Sequence, residues 1–526
     1  MKKRMFCLIL SLLMLFAGTA CAETKEYVMA GFDDTQYRSW EETAFFEEMN
    51  NRPLKKADDA AKTDDESDDD VARSEEKEET ILHFTFEVYK KSDEWKAAKA
   101  AMTKDGGIPD VLFKAALTSS ECQSMLEKGV LIDLSELIEN CCPNLNSLLQ
   151  QYPQVKEAIT LPDGRIAALP YIKPIGTQNY IWINETWLKN LNLEMPTDRD
   201  SFVEVLRAFR DMDPNRNGKK DEIPLSALGP FDLKFLAHAW GLTANDYNIF
   251  VEDGQVKFMP LQAEFREFLE WCHMLWEEGL LDKESFSTTS DWRETKATNS
   301  KDDALYGVVL APLVHDVVQN DRADEYAIMM PLSYEGERVY RDFSGPAVRG
   351  TFAVTSACDD PESVLRWVDQ LYAPLGYELI FFGKEGKDFR YNALGQWEGT
   401  DEAVSNQFFT MTRLLGGGAT APGIVNNEME RKVPDDNAMQ IMDDQEAFSA
   451  YTQMPFPYYT LTNEQTQTVS AMQNRLGAYV DTMMGRFIIG DVELNDENYA
   501  AFTDALTKEY DVEGFLAFWQ QIYEAL

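Results

Sequence analysis

Ten residues beginning at Asp213 carry the most specific chemistry in the chain. The stretch Asp213-Pro-Asn215-Arg-Asn217-Gly218-Lys219-Lys-Asp221-Glu222 sets side-chain oxygens at positions 1, 3, 5, 9 and 10, with Gly218 sixth, where a metal loop turns sharply. Carboxylate and amide oxygens, joined by the backbone carbonyl of Lys219, are the hard ligands that Ca²⁺ takes at roughly 2.3–2.6 Å. Position 12 is Pro224, so the bidentate glutamate of an EF-hand is missing and Glu222 must supply that role. A metal-free Asn/Asp/Gly surface turn is the competing reading. A single loop with no helix signal before Pro224 reads as a structural clamp rather than a switch.

Other chemical signatures are missing. The chain has no G-x-S-x-G, no H-E-x-x-H, no phosphate loop and no strand followed by G-x-G-x-x-G. His83, His238, His273 and His315 are far apart and read as core or surface residues. With 91 Asp and Glu, a carboxylate pair at glycosidase separation arises by chance, so acid pairs carry no information. Cys122, Cys141, Cys142, Cys272 and Cys358, odd in number and irregularly spaced, read as small buried hydrophobes, with one long-range bridge left open.

The elements that must position such residues follow from size and pattern. A chain of 526 residues exceeds what one core organises, so two lobes are expected. With 44% apolar residues it is globular, and its net charge of −42 argues against nucleic acid or an anionic membrane surface as partner. Lys2, Lys3 and Arg4 precede an apolar run from Met5 to Ala17, too short to span a bilayer, which is the pattern of an export signal over residues 1–22. Ala20-Cys21-Ala22 fits ordinary cleavage before Glu23, whereas Cys21 also fits a lipid-anchored first residue.

Period-two alternation predicts strands at Tyr27–Phe32, Ile81–Tyr89 and Asp110–Phe113, with helices near Trp40–Asn50 and Ser92–Lys104 between them. Residues 58–79, with 12 acidic and 3 basic side chains, predict a disordered acidic insertion. Helices are expected at 200–211, 233–240, 263–278, 361–371, 464–484 and 495–526, and a further strand at Thr351–Thr355. Alternating βα units imply a sheet flanked by helices that binds ligands at strand carboxyl ends.

Several ordered motifs then resemble a known family. Gly107-Ile-Pro-Asp-Val111, Leu126-Glu-Lys-Gly-Val-Leu-Ile-Asp-Leu-Ser135, Asp163-Gly-Arg-Ile166, Trp182-Ile-Asn-Glu-Thr-Trp-Leu188, Leu365-Arg-Trp-Val-Asp369 and Phe487-Ile-Ile-Gly490 are similar to bacterial extracellular solute-binding proteins of family 1, receptors for ABC importers. The loop at 213–222 resembles the calcium loop of the large oligosaccharide-binding branch, where the positions matching Asp213, Asn215, Asn217, Lys219, Asp221 and Glu222 hold a structural Ca²⁺.

The resemblance implies an α/β, two-lobed periplasmic-binding-protein-like fold of type II, each lobe a mixed sheet flanked by helices, joined by hinge strands. It places a first lobe over 27–175, the second over 176–330, a return to the first over 331–374 and the rest of the second over 375–526, with hinges near Pro170–Gln178 and Met330–Ser333. It implies a monomeric, non-enzymatic receptor that captures an oligosaccharide and delivers it to an ABC permease, either anchored at Cys21 or soluble outside the membrane. The alternatives are a peptide or other solute on the same scaffold, or a secreted glycoside hydrolase. Sugar recognition needs aromatic platforms and hydrogen-bonding side chains. The expected platforms are Trp40, Tyr171, Tyr180, Trp240, Trp292, Tyr334 and Trp397, and the expected polar partners are Asp33, Asp34, Gln178, Asn179 and Arg349. The overall charge favours a neutral or basic ligand over a polyanionic sugar, a preference that a local cluster of arginines would reverse.

Overall fold

The computed structural model describes residues 23–35, 39–54, 80–287, 292–400 and 419–526. The export signal with Cys21 and the acidic insertion at 58–79 lie outside the described residues.

The first lobe is built on β1 (Glu23–Phe32), β2 (Pro53–Leu54), β3 (Thr80–Tyr89), β4 (Val111–Phe113) and β5 (Leu169–Ile172). The second begins with β6 (Tyr180–Asn184) and β7 (Ile223–Ser226), followed by a hairpin of β8 (Ile249–Glu252) and β9 (Gln255–Phe258), and continues through β10 (Tyr306–Ala311) and β11 (Tyr326–Ile328). Beyond it come β12 (Tyr340–Arg341), β13 (Ala347–Val354), a hairpin of β14 (Phe389–Tyr391) and β15 (Trp397–Gly399), then β16 (Gly423–Ile424) and β17 (Thr452–Gln453).

Two mixed sheets organise these strands. The larger runs β16-β5-β13-β4-β1-β3-β2, and the smaller β11-β6-β10-β7. β1 pairs in parallel with β3 over ten residues and with β4, whereas β13 lies antiparallel to β4 and β5. Alternation along β1 explains how the larger sheet is covered on both faces. Tyr27 and Met29 enter one core with Phe84, Phe113 and Trp367, while Ala30 and Phe32 enter another with Trp95 and Leu112. The second lobe has a single large core around Trp182, Trp187, Phe268 and Trp519.

Among the described residues the chain crosses between lobes three times. The first crossing runs between Ile172 and Tyr180. The second lies later than expected, because Tyr340 is still fully buried in the second core, so the return to the first sheet runs from Asp342 to Pro346. The third was not anticipated. Leu379, Ile380 and Ala421 pack in the first core and β16 pairs with β5, so this stretch belongs with the first lobe, and the chain returns to the second only before Phe448. The long helix expected over 495–526 is two helices, Asp496–Lys508 and Val512–Glu524. Asp511 breaks it by adopting a left-handed backbone conformation (φ +53°) while its carboxylate caps Gly514.

All five described cysteines are free thiols. His238 is a core residue: its Nδ1 bonds the carbonyl of Phe235 at 2.7 Å and its Nε2 accepts the Leu332 N–H at 2.9 Å, which fixes the neutral tautomer. Burial pulls its pKa from 6.5 down to about 4. The unfolded chain therefore binds a proton that the folded one refuses, so stability present at neutral pH is lost as pH falls from 6.5 towards 4. The loss amounts to at most about 3 kcal/mol. Urea unfolding at neutral pH and near pH 4.5 measures it, and His238→Gln should show a smaller difference between the two than the wild type.

Candidate functional site

A cleft of about 560 Å³ opens at the second crossing. One wall is the start of the helix Ser119–Glu127, and the floor is the second crossing from Asp342 to Gly345 with Arg349 on β13. The opposite wall belongs to the second lobe: Tyr247, the run Phe456-Pro-Tyr-Tyr459, and Trp519 on the last helix.

Trp519 is fully buried and holds the aromatic wall in place. Tyr247 stacks on it at 5.8 Å and 18°, and Tyr459 and Phe456 meet it edge-on at 4.9 and 5.4 Å. Tyr458 rests on the hinge: a Cβ at Gly345, whose φ is +66°, would lie 2.0 Å from the tyrosine hydroxyl. Burial, and secondarily Asp342, pushes the Tyr458 hydroxyl well above its usual range, and burial does the same to Tyr459. Both rings therefore stay protonated at neutral pH and offer hydrogen-bond donors.

Gln178 ties two crossings together. Its amide donates to Asp342 Oδ1 at 3.1 Å, and its carbonyl oxygen accepts from the Phe343 N–H at 2.9 Å. Asn179, beside it, donates to the buried Asp232 at 2.9 Å.

Of the cleft candidates chosen from sequence, only Arg349 lines this cavity. Asp33 is wholly buried, ion-paired to Lys114 at 3.0 Å and bonded by the Trp40 indole N–H at 3.0 Å, so Asp33 and Trp40 belong to the first lobe's interior. Asp34 is exposed beside them. Tyr171 is buried near Phe381, and Trp240 is buried under Arg199, whose guanidinium lies 4.5 Å over the ring. Tyr334 flanks the same arginine at 5.8 Å. Trp397 joins a small cluster with Phe382 and Phe389. Tyr180 lines a second, smaller cavity of about 130 Å³ with Ile175, Thr177 and Leu313. Trp292 opens a helix, and its side chain lies outside the described residues. The residues that line the cleft instead, notably Tyr247, Tyr458, Tyr459 and Trp519, sit in a proline-broken loop and on helix or turn positions that sequence periodicity assigns to packing.

The 213–222 loop lies outside the cleft, between the helix Arg199–Asp211 and β7. Arg216 and Gly218 adopt left-handed conformations (φ +58° and +73°) that curl it inward. Asp213 accepts from the N–H groups of Asn217 and Gly218 at 3.1 and 3.0 Å, and the Asp221 carboxylate accepts from the amides of Asn215 and Asn217 at 3.1–3.3 Å. Lys219 and Asn217 also reach Asp303, at 3.3 Å each, an acid the sequence motif does not contain. Glu222 Oε1 is buried without a partner, and burial next to Asp221 and Asp213 raises its pKa. Among the described residues no three His, Cys, Asp or Glu side chains converge as a ready metal cluster. The loop's donor set is mixed carboxylate and amide, and the orphaned, crowded Glu222 oxygen fits a hard cation.

Two mixed-sheet lobes joined by crossings, with a cleft at the second of them, are the fold of the two-lobed solute-binding proteins, and the chain has that fold. No protein-family model matches it. It is 26% identical over 449 residues to the fructooligosaccharide ABC transporter substrate-binding protein FusA of Streptococcus pneumoniae, covering 80% of each chain. FusA in complex with kestose superposes with a TM-score of 0.67 at 22% identity, covering 95% of this chain and 99% of FusA. A FusA EF-hand mutant with fructo-nystose gives 0.66 at 24%, covering 95% and 99%. A human-milk-oligosaccharide (HMO) binding solute-binding protein from Bifidobacterium longum infantis gives 0.73 at 18%, covering 95% and 98%.

Proposed function

We propose that this protein captures an oligosaccharide in the interlobe cleft outside the membrane and hands it unaltered to an ABC permease. The observation that carries this is the wall of Tyr247, Tyr459 and buried Trp519 facing hydrogen-bonding groups across a hinged cavity. Its volume of about 560 Å³ falls within the roughly 300–1,000 Å³ of small-molecule sites. Aromatic faces meet the CH faces of sugar rings, and tyrosine, serine and amide groups meet their hydroxyls. Ligand contacts with both lobes would shift an open–closed equilibrium toward the closed form. Similarity to FusA supports the transport role and the lack of turnover. The chain would act as a monomer, exported by the segment before Glu23 and either released or held at Cys21.

Titration calorimetry against oligosaccharide and peptide panels tests the reading. Heat from sugars with no change in the sugar after prolonged incubation is expected; heat from peptides alone, or cleavage of the sugar, would overturn it.

The same reading assigns Ca²⁺ to Asp213, Asn215, Asn217, the Lys219 carbonyl, Asp221 and Glu222, where it would supply positive charge to crowded oxygens and pin β7 to the preceding helix. Chelation should lower the melting temperature by about 2–4 °C, and added Ca²⁺ should restore it. Asp213→Ala should melt at the lower temperature with or without Ca²⁺. An unchanged melting curve on chelation of the wild type would refute the assignment.

A further inference from the structure

One charge in the cleft is left without a role by the aromatic wall. Among the described residues Arg349 is the only cationic one lining the cavity and Asp342 the only acidic one, in a chain whose net charge is −42. The Asp342 carboxylate is engaged with the hinge through Gln178 and the Gly345 N–H. The exposed guanidinium of Arg349 has no carboxylate partner among the described residues, and its hydrogen bond reaches across to the Tyr459 carbonyl at 3.5 Å.

The helix Ser119–Glu127 starts beside this arginine. Leu117 donates to the Gly350 carbonyl at 2.9 Å, and Ser119 and Arg349 line one shallow depression at the cleft edge. The N–H groups of Ser119 and Ser120 lie in the first turn, so they have no acceptor within the helix, and the positive end of its dipole points the same way. The nearest helix acid is already matched: Glu121 accepts from the Thr118 N–H at 2.8 Å and pairs with Lys99 at 2.8 Å. On the other wall the Trp519 indole N–H and the Tyr458 hydroxyl are buried without partners, the first in the core and the second against Gly345, so Arg349 is the charged donor that the cavity exposes.

We propose that the cleft selects oligosaccharides bearing a carboxylate, seated on Arg349 and the first turn of the helix Ser119–Glu127. The inference rests on the oligosaccharide reading above. A planar guanidinium fork matches the two oxygens of a carboxylate, and with Asp342 also in the cavity a singly charged uronate suits the site better than a dianionic phosphate. The −42 of the whole chain is screened within about 8–10 Å at ordinary salt, so these local donors govern the site.

Calorimetry on the full mature chain at low salt tests this with short galacturonate and alginate oligomers, each beside its carboxyl-reduced neutral form. At least one acidic sugar should bind roughly tenfold or more tightly than its reduced form, and raised salt should narrow the gap. Arg349→Met should remove most of that preference, and Arg349→Lys should keep part of it; both should melt like the wild type because the side chain is exposed. Neutral forms binding as well as acidic ones, or a preference that survives Arg349→Met, would overturn the proposal while leaving the oligosaccharide reading intact. If neither acidic nor neutral sugars bind, both fall.

Discussion

Replacing Asp33 by alanine should destabilise the first lobe by about 3–5 kcal/mol, the penalty expected when one partner of a buried ion pair is removed. Asp33 sits at the carboxyl end of β1 and Lys114 just beyond β4, and both side chains are 0% exposed. The Trp40 indole donates to the same carboxylate oxygen that meets the ammonium, so the substitution also strands a buried N–H. Substituting both charged residues with apolar ones of similar volume should recover much of the loss, because the desolvation of two ions is then avoided. Chemical denaturation of the single and double variants provides the measurement. An Asp33→Ala protein as stable as the wild type, with weakened sugar binding, would return Asp33 to the ligand site that its sequence position first implied.

The second large effect concerns affinity. Tyr247→Ala should weaken oligosaccharide binding by about 1–3 kcal/mol, a roughly 5- to 150-fold rise in Kd, with little change in melting temperature. Tyr247 is half-buried and stacks on Trp519, so its ring is available to a ligand while its anchor stays in place. Trp519→Ala should behave differently. The indole is fully buried among Phe456, Phe515 and Phe518, and its loss should cost about 3–5 kcal/mol of folding stability along with the binding. Calorimetric titration and thermal unfolding on both variants separate a platform from its support. Equal losses of stability in the two would mean that Tyr247 is a packing residue.

The comparison of sequence with structure turns on range. Alternation in Tyr27–Phe32 and helical spacing in Phe265, Phe268, Leu269, Cys272 and Leu275 are local signals, and both elements form as read. The oxygen spacing of the 213–222 loop is likewise local, and the loop curls as its glycine demands. The cleft is not legible in this way. Tyr247 and Trp519 are 272 positions apart, and Phe456-Pro-Tyr-Tyr459 carries no period, so nothing along the chain announces that they meet. Trp40 misled for a related reason: it lies next to a loop in sequence, but a short turn folds its indole onto Asp33 and under Phe46. β16, only two residues long, leaves no pattern to read, and its pairing with β5 brings the third crossing.

That last strand has a consequence for biogenesis. Because Gly423 and Ile424 complete the edge of a sheet that opens at Glu23, about four fifths of the polypeptide must emerge before the amino-terminal half can close. Such distant pairings form slowly. Products truncated before residue 423 should therefore be cleared by proteolysis rather than persist as a stable half-molecule.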